Sequence, residues 1–308
     1  MNDLILHHYP MSPFAEKARL MLGFKQLPWR SVIIPAVMPK PDVVALTGGY
    51  RKTPVLQVGA DIYCDTALIA RVLEDREPNP TLFPPGVPLA APLAQWADSN
   101  LFAVAVSWAF QPAGAAAIMS SQPPEVLSAF AADRAAMRNN TPRPALADAT
   151  AQLKQHLSAI AAQLQQGGPW LFGTAPSIAD FSVGHCLWFI RQAKPVAHLL
   201  DDYPPIGPWL DRLVAIGHYR ATDLASGEAV ALAAATAAHA PASVEAGLGF
   251  EAGQAVTVAA TDYGCDPVAG TLVGLSLHES VLRRTDPRAG TVHVHFPRVG
   301  FRLQADKA

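Results

Sequence analysis

The chain has 308 residues, half of them hydrophobic and only 16% charged, which is long enough for two or three domains with a sizeable core and excludes a disordered chain. A net charge of −2 gives no electrostatic ground for nucleic acid or an anionic membrane as partner. Cys64, Cys186 and Cys265 are an odd, widely spaced set without a CxxC pair, which argues against a disulfide framework or a thiolate zinc site and fits a reducing compartment.

In chain order, the apolar run Leu4-Ile5-Leu6 reads as a buried strand, broken by Tyr9-Pro10-Met11 before a helix over 13–22. Ser12 is placed to cap that helix, with Pro13 in its first position. A helix N-terminus favours negative charge, so Ser12 either caps only, or also helps hold a ligand thiol as its thiolate. An extended stretch over 29–34, a short helix over 41–46, a strand over 54–58 and a helix over 66–74 follow. That alternation predicts a small α/β sheet within residues 1–84. Prolines between 77 and 88 then mark a linker. Met1-Asn2-Asp3 lacks the basic start of a signal peptide and no run reaches membrane-spanning length, so a cytoplasmic protein is expected.

Residues 89–222 read as all-helical. Leu93, Ala97, Leu101, Val104 and Trp108 follow three- and four-residue steps, and Phe102, Val106 and Phe110 make a second stripe that either packs inward or lines a pocket or subunit contact. Prolines at 123–124 and at 141–144 interrupt the bundle before a helix over 152–164. Ser177-Ile178-Ala179-Asp180 resembles a capping box, which gives Asp180 a structural role at a helix start. An alanine-rich segment over 228–240 leads to a change of texture. Within 241–308, five short alternating runs separated by glycine- and proline-containing turns predict a small antiparallel barrel-like domain leaning on the helices. His293 and His295 share a strand face there, but no carboxylate or thiol stands near them in sequence, and no metal is expected.

Four separated stretches resemble the cytosolic glutathione transferases over residues 1 to about 222. Ser12-Pro13-Phe14-Ala15-Glu16-Lys17-Ala18-Arg19 is similar to the omega-class turn with serine in the cysteine position, and Arg51-Lys52-Thr53-Pro54-Val55-Leu56 is similar to the segment before the family's third strand. Asp65-Thr66-Ala67-Leu68-Ile69 stands where the family has Glu-Ser-x-x-Ile, and 175–181 is close to the helical-domain motif. The resemblance implies a thioredoxin-like domain over 1–84 and a helical domain over 89–222; the appended all-β domain over 241–308 lies outside it and rests on the alternating runs alone.

It also implies a site. Thr53, before a cis Pro54, would pair with the cysteinyl unit of glutathione as a strand would. Thr66 would bind the γ-glutamyl carboxylate while Asp65 meets the ammonium, although Asp65 can equally be a plain cap. Lys40, or a solvated Lys40 with Lys52 in reserve, stands where the omega pattern has a lysine for the glycyl carboxylate. Ser12 would donate to the sulfur, with Tyr9 as reserve, and cannot form the mixed disulfide that a cysteine supports. Phe14, Met11, Trp96 and Phe102 would wall a hydrophobic second substrate. The implied function is a glutathione transferase acting on a small hydrophobic electrophile, as a cytoplasmic homodimer in detoxification. A glutathione-dependent isomerase or dehalogenase, or a non-enzymatic binding protein, are the alternatives.

Overall fold

The computed structural model describes residues 3–120, 123–138 and 144–306. Strand and helix alternate first: β1 (Ile5–His8), α1 (Pro13–Phe24), β2 (Trp29–Ile33), α2 (Pro41–Thr47), β3 (Val55–Val58), β4 (Asp61–Cys64) and α3 (Thr66–Arg76). β1 lies parallel to β2 and antiparallel to β3, which turns back antiparallel to β4. The sequence expectation lacks β4, because four residues after the Gly59-Ala60 turn are too few to display a period. Lys25, at the end of α1, is fully buried, and its Nζ donates to the Glu77 and Pro80 carbonyls at 2.7 Å each. The proline-rich linker is thereby clamped to the unit it leaves.

The helical part comprises α4 (Ala90–Trp96), a π-helical turn (Ala97–Leu101), α5 (Phe102–Ala109), α6 (Pro112–Ile118), α7 (Pro124–Arg138), α8 (Leu146–Gly167), α9 (Ile178–Gln192), a 3₁₀ segment (Lys194–Asp202) and α10 (Ile206–Ala215). The prolines at 123–124 start a helix where the sequence suggests only a break: Pro124 occupies the first turn, where a missing N–H costs nothing. Of the second interruption, residues 141–143 lie outside the described residues.

α9 runs through the middle of the bundle. Its start is fixed by Asp180, whose carboxylate accepts from the Leu171 and Ser177 N–H groups at 2.9 Å, the Ser177 hydroxyl at 3.1 Å and the Trp209 indole at 3.0 Å. Gly184 lets α10 approach, since a Cβ there would stand 1.9 Å from a Leu213 methyl. The Phe102, Val106 and Phe110 stripe is half-buried against neighbouring helices. Phe102 meets Phe14, Phe110 meets Phe189 and Phe130, and Val106 joins the same cluster. No single helix among the described residues is long and apolar enough to cross a membrane.

After the bundle the chain returns to the sheet. β5 (Ala221–Asp223) pairs with β2 at one edge, and α11 (Ser226–Ala235) then crosses the sheet, burying Ala229, Val230 and Ala233. The remaining strands are β6 (Ala255–Ala260), β7 (Val268–Leu275), β8 (Glu279–Asp286), β9 (Gly290–Pro297) and β10 (Phe301–Ala305). Consecutive strands from β6 to β9 pair antiparallel, and β10, although it follows β9 after a short turn, pairs with β6. The strip therefore curls on itself, barrel-like.

Its support differs from the expectation. β9 lies parallel to β4, so the ten strands among the described residues form one sheet in the order β10-β6-β7-β8-β9-β4-β3-β1-β2-β5. Val292, Val294 and Phe296 of the tail share a buried cluster with Leu46, Tyr50, Val55 and Ile62 of the first unit. The tail leans on the α/β unit rather than on the helices, because β4 otherwise offers an unpaired edge, which a parallel strand satisfies. The β4–β9 pair also sets Asp61 opposite His293, so a carboxylate does stand by the histidine pair.

Candidate functional site

The register His7↔Val55 and Val55↔Cys64 brings three chain segments to one end of the sheet. The turn after β1 leads to Ser12, the approach to β3 carries Thr53 and Pro54, and the exit from β4 carries Asp65 and Thr66. Two of the three open helices, so backbone donors and two positive dipole ends are collected at this end.

Ser12 is buried and caps α1, its Oγ accepting from the Ala15 N–H at 3.2 Å. Because the oxygen is the acceptor there, its own proton is left to donate. Tyr9 lies beside it. Burial raises the Tyr9 pKa, with Arg134 and the Ser12 contact opposing, so the phenol stays protonated at neutral pH.

The Thr53–Pro54 bond is cis, and the Thr53 Oγ1 accepts from the Lys40 Nζ at 3.2 Å. Lys40 precedes α2 and is buried. Desolvation, with the Arg134 and Arg51 guanidinium groups, lowers its pKa to about 8 against the pull of Asp133. Asp133 and Arg134 come from α7. Asp133 accepts from Arg51 at 2.6 Å and from the Met38 N–H at 3.3 Å, and Arg134 donates to the Ala36 carbonyl. α7 therefore closes over the β2–α2 connection beside Lys40.

Asp65 adopts φ 75°, a backbone state that an L-residue rarely takes, and its Oδ1 accepts from the Ala67 N–H at 2.9 Å. Burial raises its pKa, opposed by Lys52 and the Ala67 N–H. Thr66 is buried, and its Oγ1 accepts from the Lys17 Nζ at 3.0 Å. The Thr66 hydroxyl proton thus points elsewhere, available to a ligand carboxylate.

Lys17 is fully buried and also donates to Asp98 at 2.6 Å, while the other Asp98 oxygen accepts from His185 at 2.9 Å. Burial alone would raise the Asp98 pKa, but Lys17 and His185 reverse it and hold the carboxylate ionised. His185 has its pKa lowered by burial, with Asp98 opposing, so a neutral ring donates through Nε2. Asp98 sits in the π-helical turn, the irregularity that swings it out of the apolar run of α4 and α5.

Sequence reasoning missed Lys17, Asp98, His185, Asp133 and Arg134. A signal was available for the first three: each is a lone polar group on an otherwise apolar helix face, and such groups are found buried only when they meet one another.

The remaining expected residues are spread out. Phe14 packs between Phe102 at 4.6 Å and His185 at 4.5 Å between ring centres, so those two phenylalanines are in contact. Trp96 instead sets its ring edge-on to His156 of α8, away from that pair, and Met11 is partly exposed in the turn. The Lys52 Nζ is held by Asp262 of the tail at 2.6 Å.

The glutathione S-transferase N-terminal domain model matches residues 6–81, and the C-terminal domain model of the same family matches 143–212. Among curated proteins none matches the chain. A GST-like protein from Pseudomonas syringae of known structure is 49% identical, covers 99% of this chain and 100% of its own, and superposes with a TM-score of 0.81. A glutathione S-transferase from Methylobacterium radiotolerans, crystallised with glutathione sulfonate, is 23% identical over 70% of this chain and 92% of its own, with a TM-score of 0.52. A tau-class enzyme from mango shares the fold at 17% identity over 69% of this chain and 89% of its own, with a TM-score of 0.52. The Pseudomonas protein alone of these three runs through the tail strands as well, and on that full-length likeness, with both domain models in order, the chain belongs to the glutathione S-transferase family.

Proposed function

We propose that the protein binds glutathione at the end of β1, β3 and β4 and conjugates its thiolate to a small hydrophobic electrophile. The observation that carries this reading is the delivery of Ser12, Thr53 and Asp65-Thr66 to one end of three neighbouring strands. Thr53 pairs its backbone with the cysteinyl unit, next to Pro54. Thr66 gives its free hydroxyl proton and backbone N–H to the γ-glutamyl carboxylate, and Asp65 takes the ammonium with the oxygen not used by Ala67.

Lys40 takes the glycyl carboxylate, which a partly desolvated ammonium favours strongly. Ser12 donates to the sulfur. That bond and the α1 dipole stabilise the thiolate over the thiol, so the proton leaves to solvent and sulfur attacks the electrophilic carbon. The attack expels halide from an aryl halide, or breaks the C–O bond of an epoxide or the C=C π bond of an enone, with the resulting oxyanion or enolate taking a proton from solvent. Phe14 and Phe102 form part of the wall for that second substrate. A homodimer belongs to the same proposal, and sedimentation velocity tests it.

The decisive experiment replaces Ser12 by alanine. Turnover across a panel of aryl halides, epoxides and enones is expected to drop about a hundredfold, in the range seen when one oxyanion donor is removed. Glutathione affinity by calorimetry is expected to stay within about twofold. Unchanged turnover removes Ser12 from the chemistry. Failure of the unmodified protein to take up glutathione at millimolar concentration removes the enzyme reading altogether, and isomerised or dehalogenated products in the panel would replace conjugation with the corresponding reaction.

A further inference from the structure

A second cluster of chemistry-bearing side chains lies at the other end of β4, where the tail joins the sheet. Asp61, the first residue of β4, is in parallel register with His293 of β9, and His239 arrives from the segment that follows α11. The Asp61 Oδ1 stands 3.8 Å from the His239 Nδ1 and 3.9 Å from the His293 Nδ1. Those distances are too long for hydrogen bonds. Both Nδ1 atoms are shut off from solvent and neither has a hydrogen-bond partner. The two imidazole rings stack with centres 3.8 Å apart and planes within 16°, so both orphaned nitrogens face the same carboxylate oxygen.

Buried polar atoms in folded proteins are nearly always satisfied, and two orphans aimed at one anion need a common explanation. Hydrogen bonding within the trio does not supply it, because each ring is beyond reach of the oxygen. A cation between the three atoms satisfies all of them once the rings tilt out of their stack, because the nitrogen lone pairs lie in the ring planes and planes within 16° of parallel do not meet at one ion.

We propose that Asp61, His239 and His293 form a binding site for a divalent transition metal ion of the zinc type. The three candidate ligand atoms lie within 4.8 Å of one another. At the usual zinc–nitrogen and zinc–oxygen lengths of about 2.0–2.2 Å, tetrahedral ligand atoms stand about 3.4 Å apart, so the two nitrogen–oxygen spacings close by roughly half an ångström. Two imidazole nitrogens with one carboxylate oxygen suit zinc and its first-row neighbours, whereas calcium and magnesium take oxygen shells and copper(I) takes sulfur. Three protein ligands leave a fourth position for water.

The surrounding groups are arranged as a metal site's supports usually are. His295 donates from Nε2 to the Asp61 Oδ1 at 3.0 Å and from Nδ1 to Glu279 at 3.1 Å, so both its nitrogens are committed and it orients the carboxylate rather than competing as a ligand. The Asp61 Oδ2 accepts from the Ala240 N–H at 2.9 Å, which anchors the residue next to His239. A metal here ties together β4, the exit from α11 and β9. Those are three of the segments at which the tail meets the α/β unit, and the ion's role is to clasp that junction.

The test uses the full chain, stripped with a chelator and titrated with zinc chloride in the absence of glutathione. One equivalent is expected to bind with a micromolar or tighter dissociation constant, and cobalt(II) in its place is expected to give the visible absorption of a tetrahedral centre. His239→Ala and His293→Ala should each weaken binding more than tenfold, and the double variant should lose the stoichiometric site and the zinc-induced rise in melting temperature. His295→Gln should cost about tenfold, as loss of an orienting partner does. His239 lies outside every strand, so its replacement leaves the sheet pairing intact and keeps the test valid if a β9 variant folds poorly. Absence of stoichiometric zinc uptake by the unmodified chain, or uptake unchanged in the His239→Ala variant, overturns the proposal. Neither outcome touches the glutathione site, which is read separately.

Discussion

The first unit is joined to the rest of the molecule along two seams, and an aspartate is enclosed at each. At the seam with the helical bundle, Asp98 is answered inside the chain: Lys17 and His185 occupy both its oxygens, and Lys17 goes on to hold Thr66. At the seam with the tail, Asp61 is answered by His295 and the Ala240 N–H, yet two further imidazole nitrogens facing it stay unpaired. The first carboxylate is neutralised by a lysine of the first unit itself, which also holds the Thr66 hydroxyl. At Asp61 the charge-bearing partner is His295, which donates from both ring nitrogens and shares its charge with Glu279, while the His239 and His293 nitrogens beside the carboxylate stay unpaired. The same residue type is thus fully paired at one seam, by a lysine and a histidine, and at the other still lies beside two nitrogens that an ion would join to it.

The largest expected effect comes from breaking the first seam. Lys17→Met removes the ammonium and leaves Asp98 buried with only a neutral histidine, a change expected to cost about 3–5 kcal/mol, as other half-broken buried pairs do. Urea unfolding measures it. Glutathione affinity should fall as well, since Thr66 loses the partner that fixes its hydroxyl. A loss below about 1 kcal/mol would mean that Asp98 takes up a proton at little cost, and the contrast between the seams would disappear.

How far the sequence led differs between the seams for a physical reason. The Ser12 cap, the Asp65-Thr66 helix start and the Asp180 capping box are local motifs whose donors and acceptors lie within a few residues, so spacing exposes them. The strands of the tail were legible too, because alternation is local. Lys17 with Asp98, separated by 81 positions, and Asp61 with His295, separated by 234, are joined only by topology. The parallel β4–β9 pairing hides for the same reason: β4 is four residues long and its partner lies at the far end of the chain. A single sequence shows that His293 and His295 share a face; it does not show which carboxylate arrives opposite.

A smaller effect sharpens the ligand side of the first unit. The Lys40 ammonium, brought down to about 8 by burial and by Arg134 and Arg51, must be charged to hold a carboxylate. Its affinity contribution is therefore complete below that pH and is lost as pH rises through it, by up to about tenfold per unit. S-methylglutathione, which has no thiol to ionise, isolates the effect in calorimetric titrations between pH 6.5 and 9.5. Lys40→Met should weaken binding at pH 7 and flatten the profile. A flat profile for the unmodified protein would place the glycyl carboxylate elsewhere.

The smallest effect concerns Lys52, which faces both ways: it belongs to the loop before β3, but its Nζ is held by Asp262 of the tail. The pair is open to solvent, with Asp262 52% exposed, so its contribution to stability is screened and should lie within about 0–1 kcal/mol. Lys52→Ala is accordingly expected to shift the urea midpoint barely and to change glutathione affinity by less than about twofold. Asp262→Ala then distinguishes two states of the lysine. If releasing Lys52 from Asp262 strengthens glutathione binding several-fold, the tail competes with the ligand for that ammonium, and the second seam reaches into the glutathione site. If affinity is unchanged, the tail acts on the first unit only through the β4–β9 pairing and the cluster at Asp61.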